Sequence, residues 1–178
     1  MKDEIILMKD EIIVKHMSVA CYYAKLSTCN RRKVGCIVVK DDRVISMGYN
    51  GTPKGWDNDC EDENGNTHPY VFHAETNAIS KLAKSTESSK GSSLFVTDEP
   101  CYDCAKLISQ CDIDKVFFYK GKKEMSGVDL LIKCNIEVYR FLKDPLKVTE
   151  TEMEKGEVVS KSSGDYYKNF YQRVLKKQ

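Results

Sequence analysis

The chain has 178 residues, 41% hydrophobic and 31% charged, and its 28 Lys and Arg against 27 Asp and Glu leave a net charge of +1. That length suits one domain with a tail, burying roughly two-thirds or more of its unfolded surface, and the composition excludes a largely disordered or fibrous chain. So small a net charge provides no overall attraction to nucleic acid or anionic lipid, which makes a small ligand the default. No apolar run approaches the roughly twenty residues of a membrane span, and the opening MKDEIILMKDEIIV breaks its apolar stretch with acids, unlike a secretory leader. A cytosolic location is expected, where eight cysteines serve more often as buried thiols or metal ligands than as disulfides.

Residues 10–27 place Ile12, Ile13, Met17, Ala20, Tyr23, Ala24 and Leu26 at helical spacing, and the helix is expected to end at the cluster 27–30, Ser-Thr-Cys-Asn. The repeat MKDEIIL/MKDEIIV is too short to be architectural. KVGCIVVK (33–40) and RVISMGY (43–49) flank Asp41 and Asp42 as a hairpin. A Gly-, Asn- and Asp-rich loop follows from Asn50 to Tyr70, and a loop that long inside a domain is either functional or floppy. Beyond it the pattern predicts a helix over 73–85, a strand over 94–97, a helix over 100–111, a strand over 115–119, a helix over 128–134 and a strand over 136–141. Such alternation argues for an α/β sheet with helices on both faces. Residues 1–142 are thus read as the working domain, and 143–178 as a polar connector with a terminal helix. That helix carries Tyr167, Phe170, Tyr171 and Val174 on one face, which suits docking on this domain or a neighbouring subunit better than an RNA-binding tail.

The chemistry concentrates in His73-Ala74-Glu75 and Pro100-Cys101-Tyr102-Asp103-Cys104. A Cys-x-x-Cys alone fits a redox pair, half a structural zinc site or chance, and a helix-opening His alone is usually a surface residue. Together, H-x-E and P-C-x-x-C resemble the signature of zinc deaminases acting on cytosine or adenine rings. Cys101 and Cys104, three apart on one helix face, present two sulfurs to one ion about 2.3 Å away. Pro100 suits the first helical position, and the positive helix end favours the thiolates a metal needs. His73 and Glu75, two apart, both reach the ion only if they sit at a helix end. Three protein ligands fit a catalytic site with one position open to water. Two thiolates already cancel the charge of Zn²⁺, so a base must assist: Glu75 takes a proton from the attacking water and delivers it to the ring nitrogen and the departing ammonia. Without the cysteines, Glu75 would be an ordinary first-turn acid complementing the helix dipole.

The segments STCNRRKVGCIVVKDDRVISMGYNGTPKG (27–55), HAETNAI (73–79) and VTDEPCYDCAKLI (96–108) resemble the cytidine and deoxycytidylate deaminases over about residues 18–140. GYNGTPKG and Asn77 are most similar to the members acting on dCMP, whereas H-A-E and P-C-x-x-C are shared with tRNA adenosine, riboflavin-pathway and guanine deaminases. The resemblance implies a three-layer α/β/α fold with a mixed five-stranded sheet, zinc on His73, Cys101 and Cys104, Glu75 as proton shuttle, and conversion of dCMP to dUMP and ammonia for thymidylate synthesis. It places Asn50 in the pocket near the nucleotide sugar and gives the GYNG loop a part in binding dCTP, an activator opposed by dTTP, with Mg²⁺ accompanying the effector. It also implies a homo-oligomer, commonly a hexamer. Read from its chemistry alone, Asn50 is either a donor and acceptor for a ligand or a turn residue before Gly51.

Arg31, Arg32 and Lys33 are the candidates for a phosphate, against a solvated loop end. Trp56 is read as packing on a nucleotide or anchoring the long loop, with the anchor preferred. Some relatives hold a structural zinc through cysteines matching Cys29 and Cys60, with His68 as a third ligand here; free thiols are the alternative. Cys21, Cys36, Cys111 and Cys134 are read as small core residues. Two departures stand out: Asp98 occupies a position usually apolar in the family, and GKKEMSGVD lacks the Tyr-acid pair associated there with regulation. The rival functions are deamination of a base within RNA or DNA, which needs a basic groove, and a non-catalytic zinc-stabilised module, which would lack Glu75.

Overall fold

The runs GCIVVK, SLFVTD and KVFFYK are β-branched or aromatic with few polar breaks, so each buries both faces and they form the middle of the sheet. The computed structural model describes residues 2–121, 127–149 and 159–161. In chain order the elements are α1 (Lys2–Ala24), β1 (Gly35–Lys40), β2 (Arg43–Tyr49), α2 (Ala74–Leu82), β3 (Ser93–Asp98), α3 (Tyr102–Ser109), β4 (Lys115–Lys120), α4 (Val128–Lys133), β5 (Glu137–Phe141) and β6 (Val159–Lys161). The sheet runs β2-β1-β3-β4-β5-β6. β1 is antiparallel to β2 and β3, the strands β3, β4 and β5 are parallel, and β6 is antiparallel to β5.

The mixed five-stranded sheet is as expected, and β6 extends it at one edge. β6 falls within the polar connector, whose three paired residues carry no periodicity long enough to announce a strand. α1 begins at Lys2 rather than near residue 10, because its first turns contain neither Gly nor Pro. It ends at Ala24, three residues before the Ser27 cluster, and Lys25, Leu26 and Ser27 close the turn by bonding back three residues each. The expected terminal helix over 165–178 and part of GKKEMSGVD (122–126) lie outside the described residues.

Alternation along the strands sorts side chains into two cores. Cys36, Val38, Leu94, Val96, Val116, Phe118 and Val138 face α2, α3 and α4. Ile37, Val39, Phe95 and Phe117 face α1, where Val14, Met17 and Ala20 cover them. On that second face Phe95, Phe117 and Tyr139 stack across three parallel strands in register, with ring centroids 4.5 and 4.8 Å apart. Burying each large apolar side chain contributes about 1.5–3 kcal/mol. β2 meets α2 backbone to backbone: a Cβ at Gly48 would lie 2.5 Å from both the Ala74 carbonyl oxygen and the Ala78 nitrogen. Only glycine admits that approach, and the first turn of α2 shares a cavity with Asp98 at the carboxyl end of β3, where open α/β sheets bind ligands. Among the described residues no helix is long and apolar enough to cross a membrane.

Candidate active site

His73 is the N-cap residue of α2 and Cys101 the N-cap of α3, each with extended backbone (ψ 152° and 171°) and neither using its side chain to cap its helix. Both side chains are thereby directed across the gap between the two helix starts. His73 Nδ1 lies 3.3 Å from Cys104 Sγ and 3.4 Å from Cys101 Sγ. Two donors bonded tetrahedrally to one zinc ion at the usual Zn–S and Zn–N lengths are about 3.5 Å apart. The three residues therefore fit zinc, and among the described residues they are the only group of three or more His, Cys, Asp or Glu gathered so closely. The helix-end position required of His73 is met. Pro100 corrects the expectation: it precedes the N-cap instead of opening the helix, and its carbonyl accepts the Gly127 N–H at 2.9 Å.

Gly127 holds the cysteine turn from behind. A Cβ there would lie 2.5 Å from Ala105 Cβ and 2.6 Å from the Cys101 carbonyl oxygen. The two thiols are hydrogen-bonded to each other. The hydrogen bond with Cys104 is the largest cause holding Cys101 down to about 3, with His73 assisting. The same bond, then burial and the Glu75 charge, raises Cys104. A metal held here would need both cysteines as thiolates, so its binding would release protons.

Glu75, 4% exposed, sits in the first turn of α2 and opens on a cavity of about 240 Å³ shared with His73, Asn50, Thr67, Val71 and Glu99. Its negative charge adds to the burial that pushes the Cys36 thiol well up. Asn50 lines the same cavity, but its amide already braces the loop after α1. Its Oδ1 accepts the Val34 N–H at 2.8 Å and its Nδ2 donates to the Arg32 carbonyl at 2.8 Å. One N–H and one lone pair of the amide remain beyond those two bonds. Asn77 donates to the Tyr49 carbonyl at 2.8 Å, tying α2 to the end of β2.

Arg31 and Arg32 line the cavity mouth, while Lys33 lies one step outside with Lys120. The Glu61 carboxylate fixes the Arg31 backbone by accepting the N–H groups of Asn30 and Arg31 at 3.2 and 3.0 Å. Asp98, at the end of β3, reaches Arg32 with 3.6 Å between Oδ2 and Nη1. No spacing in the chain could reveal this pair, because its partners are 66 positions apart and meet only through the sheet.

The long loop is ordered by its own contacts and supplies Thr67 and Val71 to the cavity wall. Cys29 and Cys60 are joined by a disulfide across a separation of 31 residues, so they do not form a zinc site with His68, whose ring stacks on Tyr70. This corrects the expectation that the cysteines avoid disulfides. Trp56 packs on Tyr70 at 5.2 Å and does not line the catalytic cavity, in keeping with an anchor. Cys36 is buried as expected, Cys21 and Cys111 are half-buried, and Cys134 is exposed just after α4.

Residues 10–120 match the profile of the cytidine and deoxycytidylate deaminase zinc-binding region. The chain is 37% identical over 129 residues to deoxycytidylate deaminase of Mus musculus, covering 66% of this chain and 71% of that one. Against the Homo sapiens enzyme the identity is 39% over 114 residues, 60% of this chain and 63% of that one. The crystal structure of dCMP deaminase from the cyanophage S-TIM5 in complex with dCMP and dUMP aligns with TM-score 0.71 at 44% identity, covering 73% of this chain and 96% of that one. The profile spans more than half of the chain and takes in both helix starts that carry the donor set, so this chain belongs to the cytidine and deoxycytidylate deaminase family.

Proposed function

We propose that the protein hydrolyses dCMP to dUMP and ammonia. The observation that carries this reading is the buried Glu75 carboxylate opening on the same cavity as His73, with Arg31 and Arg32 at its mouth. A zinc ion held by His73, Cys101 and Cys104 would supply Lewis-acid activation of a water near neutral pH. Glu75 accepts the proton of the attacking water, returns it to the ring nitrogen, and carries the next proton to the leaving amine. Val34 and Val71 give that cavity part of its apolar wall. Asn50 offers its remaining N–H and lone pair to the sugar, and Arg31 its fork of donors to the 5′-phosphate. The cyanophage complex with dCMP and dUMP supports this choice of substrate.

The finer parts of the reading are dCTP activation and dTTP inhibition with Mg²⁺, a homo-oligomer with six copies, and a cytosolic location without a nucleic-acid partner. A cleft between the GYNG loop and α2, lined by Lys54, Trp56, Lys81 and Lys84, offers cations and an aromatic face to such an effector. Exposed Tyr22, Leu26, Trp56 and Phe72 offer apolar surface to neighbouring subunits. The test is ammonia release by zinc-quantified protein with dCMP or deoxycytidine, with and without dCTP and Mg²⁺. Turnover of dCMP far above deoxycytidine is expected; zinc-loaded protein inert on dCMP in both conditions would overturn the assignment.

A further inference from the structure

The catalytic cavity does not end at its mouth. A second hollow of about 340 Å³ continues from it, lined by Arg31, Arg32, Lys33, Asp98, Lys120 and Gly121. Three residues are common to both, Arg31, Arg32 and Asp98, and they form the neck between the two. Among the described residues, four cations and one acid, Asp98, line this outer groove. The Asp98 carboxylate lies 3.6 Å from the Arg32 guanidinium, and Lys120 is its backbone register partner on β4. Asp98 is 9% exposed, so it has little bulk water to screen it.

A pyrimidine nucleotide with its base beside Glu75 directs its phosphates outward through this neck. We infer that Asp98 is a specificity-determining residue that confines the enzyme to nucleoside monophosphates, by placing a fixed negative charge where the second and third phosphates of a di- or triphosphate would run. The inference rests on the dCMP reading above. Four unopposed cations would hold a polyphosphate chain well, since such a chain carries several negative charges. Asp98 offsets Arg32 and repels a lengthening chain, while leaving Arg31 and Lys33 for the first phosphate. Discrimination of this kind comes from a repulsive group added against the wrong ligand as much as from contacts to the right one.

The experiment compares kcat/KM for dCMP, dCDP and dCTP, each assayed alone as substrate by chromatography of the uridine nucleotide formed, in the zinc-loaded wild type, Asp98→Asn and Asp98→Glu. The wild type should prefer dCMP over dCTP by about a hundredfold or more. Asp98→Asn should narrow that ratio at least about tenfold, through a lower KM for dCTP, and Asp98→Glu should restore it. If Asp98→Asn fails to fold, Arg32→Gln carries the test in the opposite sense, because removing the Arg32 charge that faces Asp98 should widen the ratio. Turnover of dCMP with an unchanged ratio in these variants would overturn this inference alone. A wild type inert on dCMP would overturn the functional reading, and this inference with it.

Discussion

Gly127 supports the metal donors without being one of them, and Gly127→Ala measures how much that support contributes. The added Cβ would meet Ala105 Cβ at 2.5 Å, the Cys101 carbonyl oxygen at 2.6 Å and the Cys101 carbonyl carbon at 3.0 Å. Two of those three atoms are backbone, so no rotamer change relieves the contact. Ordinary van der Waals separation begins near 3.4 Å, so α4 and the start of α3 must part by roughly 0.8–0.9 Å. Overpacking on this scale costs about 1–3 kcal/mol. For a chain of this length that lowers Tm by about 2–12 °C, at 2–4 °C per kcal/mol. Because the moving segment carries Cys101, zinc affinity should fall as well, by about tenfold or more, while Glu75 on α2 stays in place. Thermal unfolding of the zinc-loaded protein and competition for zinc against a chromogenic chelator give the two readouts. A variant with Tm within a degree of wild type and unchanged zinc affinity would refute the close approach of α4 to the cysteine turn.

Glu75→Gln preserves shape in the buried first turn of α2 and removes the proton carrier. Zinc content should stay near one per chain while kcat falls by about 10²–10⁴, and turnover within tenfold of wild type would remove Glu75 from the mechanism. In denaturant with chelator and no reductant, thiol titration should count six cysteines per chain and then eight after reduction, because Cys29 and Cys60 are bonded. Eight at the outset would refute the bond; where it is present, a bridge across 31 residues should contribute about 3–4 kcal/mol of stability. His16 should give stability a pH dependence. Burial lowers its pKa against the weaker pull of Asp42, and its Nε2 is buried without a hydrogen-bond partner. The unfolded chain therefore binds this proton more readily, so stability rises with pH through this window, and the penalty grows as pH falls below about 6.5 towards the folded value. Tm of His16→Leu should fall less than that of wild type between pH 7.5 and 5.5, and parallel curves would refute the assignment.

His73, Glu75, Cys101 and Cys104 were legible in the sequence because each pair lies within one turn of a helix start and the two pairs together form a recognisable pattern, although His73 meets the cysteines only through the fold. The strands were legible for a similar reason: runs such as KVFFYK carry their burial in their composition. What escaped is whatever depends on distant partners. The neck pair Arg32 and Asp98, the bridge from Cys29 to Cys60, and Gly127 against Cys101 all join segments brought together by the sheet. Pro100 misled in a smaller way, since a proline before a helix suits either the first turn or the approach to it, and the extended backbone of Cys101 selects the second.

Chemistry and selectivity are consequently built from different materials in this fold. The proton carrier and the metal donors sit on helix starts backed by the buried core, where Ala74, Ala78, Ala105 and Ile108 hold the two helices to the sheet. The groups proposed to meet the phosphates sit on the loop after α1 and at the tip of β3. Polar contacts help to position them: Glu61 on the Arg31 backbone, Asn50 on the Arg32 carbonyl, and Asp98 on the Arg32 side chain. Asn50 belongs to both sets, because it faces the cavity while bracing the neck. Its truncation would leave the Val34 N–H and the Arg32 carbonyl without their partner, so a weakened substrate affinity in such a variant would report loop position together with sugar contact. The two contributions separate only by comparing nucleotides that share a sugar and differ in phosphate number. A displaced neck changes their relative affinities, whereas a lost sugar contact weakens all of them alike.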